Sequence, residues 1–220
     1  MRALDLISHS IPFLRLNDTA GRALQLMADF HVTHLPVVVE EKYQGLVEEN
    51  ELMDIADENQ ELGSLDLPWN KAAVLQEDHF LSALRLWKKQ HLSVIPVIKS
   101  DMELMGVITS EELLLALDEY TGAEEPGGVI ILHMEPRNFS LSEIGRLVES
   151  NDATVVHVVT SKDYSNGQLV VSVKVNRNDI QDILATFQRY EYNVDAYFGD
   201  NLSEDDLRSN YDHLMNYLNI

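Results

Sequence analysis

Apolar residues recur along this chain in two rhythms, and the first 120 residues play the same sequence of rhythms twice. Ala20, Ala23, Leu24 and Met27 follow the i, i+3, i+4, i+7 spacing of a helix with one buried face, and Phe80, Ala83, Leu84 and Trp87 do so again. Each stripe leads into a run that is apolar and β-branched on both faces, "LPVVV" and then "IPVI", which suits strands inside a sheet. Short apolar pairs, "LV" and "VI", follow Gly45 and Gly106, and a last helix follows each pair. "HVTHLPVV" (from His31) and "HLSVIPVI" (from His91) match at a constant offset of 60 residues, which one inserted residue lengthens before "GLVEENEL" and "GVITSEEL". Each copy therefore predicts strand, helix, strand, turn, strand, helix. Asp18 and Asp78 are the expected N-caps. Pro36 and Pro96 are expected at strand entrances, where a missing N–H costs no ladder bond. Gly45 and Gly106 are expected to end the turns, and the helical Met and Trp residues to lie in the core.

After "TGAEEPGG", which reads as a linker, the rhythm changes. "VIILHM" is a strand, and "SLSEIGRLVES" is a helix with Leu141, Ile144, Leu147 and Val148 on one face, opened by a capping box from Ser140 to Glu143. "TVVHVV" and "QLVVSVKV" are strands joined through Asn166-Gly167, a hairpin signal. "DIQDILATFQRY" is a helix with Ile180, Ile183, Leu184 and Phe187 in register, and "DAYF" is the closing strand. The order βαββαβ is ferredoxin-like. "VIILHM" is apolar on both faces, so the face turned from the helices needs a cover, which a second copy of the sheet would supply. The final stretch, 200–220, carries Leu207, Tyr211, Leu214 and Leu218 in a stripe and predicts an amphipathic docking helix.

The fold class is thus α/β in the first part and α+β in the second. The boundaries are 1–62 and 63–122 for the repeats, 128–199 for the ferredoxin-like unit and 200–220 for the tail helix. The formal charge of −21, from 16 basic and 37 acidic residues, argues against nucleic acid and anionic membranes as partners. The chain has no cysteine, which removes disulfides and thiolate chemistry. No run of 18 apolar residues and no signal-peptide pattern occurs, so the expected setting is soluble and cytoplasmic.

The doubled helix-then-"h-P-V-h" strand and the ending "GVITSEE" (Gly106–Glu112) resemble a tandem pair of CBS domains, a Bateman module. Residues 128–199 resemble an ACT domain, and the order CBS–CBS–ACT is similar to the acetoin-utilisation regulatory proteins of bacteria. The resemblance implies two clefts around a pseudo-twofold axis, each able to take an adenosyl compound such as AMP, ADP, ATP or S-adenosylmethionine. Carried onto this chain, it points to Pro96, Val97, Thr109 and Glu112 in copy two, with Lys71 and Ala72 nearby, and to Pro36, Val37, Glu48 and Glu51 in copy one. A carboxylate accepts both hydrogens of a ribose diol, and such charge-assisted bonds are strong. Glu48 stands where Thr109 stands in copy two, and a carboxylate there repels phosphate. Ten acidic residues and a single lysine between Glu40 and Asp66 deepen that repulsion, so the second cleft is the better candidate.

Other readings remain beside these. Thr109-x-x-Glu112 is also a capping box in its own right, while Glu48-x-x-Glu51 is expected to make none. His31 and His91 fall at helix ends, where imidazolium meets the last carbonyls. With His34 on the adjoining loop they invite a metal reading, but no metal site is assigned. No catalytic constellation is found. In the ACT-like unit the ligand loop would be Pro136, Arg137 and Asn138. The expected function is a non-catalytic regulator, a homodimer that binds an adenosyl ligand and addresses a protein target the sequence does not name. The alternatives are a ligand-free scaffold and an amino-acid sensor acting through the ACT-like unit.

Overall fold

The structure, a computed structural model, describes residues 1–199, so the expected tail helix lies outside the described residues. The chain divides into two units, Met1–Tyr120 and Thr121–Ile220.

In the first unit, copy one comprises α1 (Ala20–Asp29), β1 (His34–Val39), β2 (Lys42–Glu48) and α2 (Glu49–Met53). Its leading strand shrinks to one parallel bridge, Leu14 to Val37. Copy two comprises β3 (Val74–Leu75), α3 (Phe80–Gln90), β4 (Val94–Ile98), β5 (Leu104–Thr109) and α4 (Ser110–Thr121). Ala20, Ala23, Leu26 and Met27 are the buried face of α1, with Leu24 half-buried beside them. On α3, Phe80 and Ala83 are buried as expected, but Trp87 is 39% exposed, and Met53 of α2 is exposed too. Leu84 packs on the core as expected, and Leu86 rather than Trp87 completes the α3 stripe.

The helix starts also differ from expectation, identically in both copies. Thr19 and His79 are the N-caps. Asp18 and Asp78 instead close the turn before the helix: Arg15 N donates to Asp18 Oδ2 at 2.7 Å and Leu75 N to Asp78 Oδ2 at 3.0 Å. An aspartate that bonds backward has no oxygen aimed at the helix amides. At the other ends, His91 (φ 53°) and His31 (φ 54°) take the left-handed conformation that reverses the chain.

Pro36 and Pro96 sit third in their strands, paired with Leu46 and Val107. The neighbouring ladder to Leu14 uses the Pro36 carbonyl and the Val38 amide, each at 2.8 Å, so the missing N–H falls before the first bond. Gly45 and Gly106 lie inside β2 and β5, where the register slips by one residue in each hairpin, rather than at the turns. The copy-one turn itself is Glu40-Glu41, both at positive φ (49° and 65°). That is the geometry for which Asn-Gly is suited. Replacing Glu40-Glu41 by Asn-Gly should raise unfolding stability by about 1 kcal/mol, read from urea denaturation at constant m.

The second unit comprises β6 (Val129–Met134), α5 (Leu141–Glu149), β7 (Val155–Lys162), β8 (Leu169–Val175), α6 (Gln181–Arg189) and β9 (Asn193–Phe198). The sheet order β7-β8-β6-β9, antiparallel throughout, is the ferredoxin-like one. Ile130, Leu132 and Met134 alternate into a core with Ile144, Leu147, Val148, Ile183, Leu184 and Phe187. Leu141 is exposed at the first position of α5, outside the expected stripe. Ser140 Oγ accepts from Glu143 N at 3.3 Å, the arm of the capping box that forms, while the Glu143 carboxylate is drawn to the Tyr192 hydroxyl.

Candidate functional site

Two straps cross between the copies. Ser8 N donates to Val107 O of β5 at 2.8 Å, and six residue steps later Leu14 joins β1 of copy one. Asn70 exchanges both backbone bonds with Leu46 of β2 (2.7 and 3.1 Å), and four steps later Val74 joins β4 of copy two. Each strap runs over one of the repeated glycines. A Cβ on Gly45 would lie 2.9 Å from Trp69 Cβ, and one on Gly106 would overlap the Ile7 Cγ2 methyl. Glycine is there because backbone passes over backbone.

The crossing regroups the candidate residues. The strap over β5 is Ser8–Phe13, from copy one; its bridge to Val107 is antiparallel, so it runs along β5 from Val107 toward Leu104. Lys71 and Ala72, on the other strap, follow the antiparallel Asn70–Leu46 bridge over β2 of copy one, where Ala72 O accepts from the Tyr43 hydroxyl, rather than joining Thr109. The expected grouping of Lys71 and Ala72 with Thr109 is therefore corrected: sequence proximity placed the lysine by the wrong corner. Lys99 is held by Glu103 at 2.8 Å, and Lys42 by Asp101 at 2.8 Å. Val37 and Val97 are fully buried in the two cores, so their side chains offer no ligand surface. Pro36 and Pro96 are also buried, with Pro36 on the wall of a cleft.

At the copy-two corner, Thr109 N donates to Glu112 Oε2 at 2.9 Å, and the Thr109 hydroxyl donates to the same oxygen. Glu48 makes the same box with Glu51: Glu48 N donates to Glu51 Oε2 at 3.2 Å, and the Glu48 carboxylate accepts the returning amide. The expectation that copy one had lost its cap is wrong. A carboxylate oxygen accepts an amide hydrogen as a hydroxyl oxygen does, and a helix N-terminus favours its charge.

A cleft of about 530 Å³ opens between the strap Ser8–Phe13, Pro36 and the β5 residues Leu104–Val107. An adjoining one of about 660 Å³ shares Phe13, Arg15 and Leu104 and ends at Glu40, Glu41 and Glu103. Volumes of this size suit a small organic ligand. Phe13 is 47% exposed, with the Arg15 guanidinium 5.9 Å from its ring centre. Beneath the other strap, on β2, stands Tyr43, 2% exposed, its hydroxyl 2.8 Å from the Ala72 carbonyl and 3.1 Å from that of Asn70.

Between the copies lies His34, on strand β1 rather than on a loop. Its Nδ1 is 3.0 Å from Thr33 Oγ1, 3.2 Å from Ser93 Oγ and 3.4 Å from Ser93 N. Burial lowers its pKa below the ordinary value, against the opposing pull of Glu48 and Glu51. Among the described residues no group of three or more His, Asp or Glu side chains is placed to hold a metal ion. Arg15, Phe13 and Tyr43 were not singled out as site residues from the sequence, and His34 entered only beside His31 and His91 in a metal reading that was not assigned. The signal available for the last two was a break in the repeat, Tyr43 against Leu104 and His34 against Val94.

In the second unit the loop Pro136–Asn138 forms a 3-10 turn, with Arg137 Nε 2.6 Å from Glu135 Oε2. Its residues separate. Pro136 and Arg137 face Asn166–Gln168 in one cleft, and Asn138 faces Glu143, Tyr190 and Tyr192 in another.

Comparison with known proteins follows this geometry. The CBS domain profile matches residues 3–58 and 66–119. A homoserine O-acetyltransferase of Methanobrevibacter ruminantium is 29% identical over 121 residues, covering 53% of this chain and 24% of that protein, so the chain spans about a quarter of that relative's length. Among solved structures, a CBS domain pair/ACT domain protein from Thermotoga maritima is 23% identical (TM-score 0.49, covering 55% of this chain and 98% of the other). A putative acetoin utilization protein (AcuB) from Vibrio cholerae is 18% identical (TM-score 0.46, 57% and 96%). No helix of the described residues is long and apolar enough to cross a membrane. With its profile matched in two successive blocks that together make half of the 220 residues, the chain belongs to the CBS domain family, as a tandem pair.

Proposed function

We propose that this protein is a non-catalytic, cytoplasmic regulator whose CBS pair binds an adenosyl compound, AMP, ADP, ATP or S-adenosylmethionine, and thereby shifts the arrangement of a homodimer that addresses a protein target. The observation that carries the reading is the open cleft lined by Leu104–Val107 of β5, the strand that runs on to Thr109 and, one turn into α4, Glu112. The slot offers Ile11, Pro36 and Leu104 to a purine, Phe13 as a stacking surface, and Arg15 as the cation on its wall. A ribose diol would draw the Glu112 carboxylate away from the Thr109 hydroxyl, freeing that hydroxyl for phosphate. Support for the dimer is the β6 face turned from the core, where Val129 and Ile131 are only half-buried. The signal is a population shift, which requires unequal ligand contacts in the two arrangements.

Thermal unfolding with AMP, ADP, ATP, S-adenosylmethionine and the common amino acids, each with and without Mg²⁺, tests this. Ligand at a hundred times Kd should add about 2.7 kcal/mol. A response to amino acids alone would favour the second unit as sensor, and silence throughout would favour a scaffold for a protein partner. Glu112→Gln keeps an oxygen for the Thr109 amide but loses the charge, so affinity should fall by about 1.5–3 kcal/mol, tenfold or more. Unchanged affinity would move the site away from Glu112.

A further inference from the structure

We infer that the CBS pair has one ligand cleft rather than two, because Tyr43 is the built-in occupant of the other. This rests on the adenosyl reading for the ligand's identity, but the asymmetry is carried by two observations of its own.

The first is the residue on the floor of each strap. Beyond the register slip, Val38 pairs with Tyr43 in copy one and Ile98 with Leu104 in copy two, so Tyr43 and Leu104 are counterparts. Leu104 is half-buried and lines both open clefts. Tyr43 is buried, and its hydroxyl lies 2.8 Å from the Ala72 carbonyl, an acceptor on the second strap, and 3.1 Å from the Asn70 carbonyl, which already accepts from Leu46 N. Burial raises the phenol's pKa, so it stays protonated as the donor those carbonyls require. A buried phenol ring whose hydroxyl hydrogen is satisfied is a stable filling, and displacing it would take that donor from the Ala72 carbonyl and leave the hydroxyl to find another partner.

The second observation is chain length. Between its bridges the first strap has six residue steps and the second only four. Two extra residues add up to about 7 Å of contour, so the first strap bows outward while the second lies taut over its hairpin. The bow carries Phe13, which remains 47% exposed. Slack in one strap and a ring beneath the other point to the same cleft, the one over Leu104–Val107 of β5.

Titration calorimetry with AMP and with S-adenosylmethionine on the whole chain tests the inference. Whichever binds should do so with one site per chain. Leu104→Tyr should weaken binding at least about tenfold by placing in the open cleft the ring that closes the other, with the Thr109/Glu112 corner untouched. Tyr43→Leu should leave the first-site affinity within about threefold. Two sites per chain, or full affinity in Leu104→Tyr, would overturn it. If neither compound binds, the adenosyl reading fails by itself, and the cleft is judged by labelling. In this cysteine-free chain, Leu104→Cys should react with N-ethylmaleimide within about tenfold of the rate of Ser10→Cys on the exposed strap. Protection beyond about a hundredfold would mean that this cleft is closed as well and the asymmetry is wrong.

Discussion

Gly106→Ala should cost the first unit about 2–4 kcal/mol and abolish any response of the cleft to its ligand. Gly106 has φ 153°, inside β5, where a side chain is strained whatever the space. The added methyl would overlap Ile7 Cγ2 and sit 3.4 Å from the Ser8 carbonyl. Ile7 cannot simply swing aside, because it packs on the core built around Phe80, Ile95 and Ile108. The next residue, Ser8, is the anchor of the strap on Val107. Relief therefore requires the strap to lift, and the strap is one wall of the cleft. Gly45→Ala meets Trp69 Cβ at 2.9 Å and the Asn70 carbonyl at 3.2 Å, so it should destabilise too, by a smaller margin. Urea denaturation of both variants checks the order. A loss below about 1 kcal/mol at Gly106 would mean that the strap is not packed on the hairpin as described.

The doubled glycine was plain in the sequence, but its purpose was not. A glycine before an apolar pair reads as the end of a turn, and only the strap from outside the repeat reveals that backbone crosses over it. The same nonlocality hid the grouping of the site. Lys71 is near copy two along the chain, yet the Asn70–Leu46 bridge ties it to copy one, because each strap crosses before it enters its own repeat. What local pattern did carry was the order of elements. Hydrophobic period and β-branched runs placed both repeats and the βαββαβ unit, since those signals depend on neighbours three or four residues away. Caps were less legible. Asp18 and Asp78 look like N-caps, but the turn behind them offers an amide first, and the choice is decided by backbone direction rather than residue type. The candidate corner itself was readable as a pair, Thr109 with Glu112, while the cleft over Leu104–Val107, and its lack of a twin, depend on strap length and on one tyrosine. Those are differences between the copies, and a reading built on likeness passes over them.

His34 is such a difference, and it should make the seam between the copies acid-labile. An amide can only donate, so the approach of Ser93 N to Nδ1 requires a lone pair there, which places the imidazole proton on Nε2. Ser93 Oγ accepts from Thr33 N at 3.0 Å, leaving its own hydrogen for Nδ1. Protonating Nδ1 would set an N–H against the Ser93 amide in a site 8% exposed. The charged groups that act on the ring are Glu48 on β2 and Glu51 on α2. Both favour the imidazolium, but burial outweighs them and the folded-state pKa lies below the unfolded one. The unfolded state therefore binds the proton more tightly. Stability is complete above the unfolded value, about 6.5, and falls as pH drops toward the folded one, by up to about 1.4 kcal/mol per pH unit from this group. The chain holds seven other histidines, so the quantity to measure is the difference between wild type and His34→Asn, whose amide oxygen accepts from Ser93 without taking a proton. Between pH 5 and 6.5, about the window of histidine titration, that variant should lose stability less steeply. His34→Val, the residue that copy two carries at Val94, should cost about 1–3 kcal/mol at neutral pH because the Ser93 amide is left unpaired. A His34 imidazole resonance that titrates at or above the ordinary value, or equal slopes for wild type and His34→Asn, would remove the acid response from this seam. Because the ring touches Thr33 and Ser93, equivalent residues of the two repeats, its protonation acts where the copies meet.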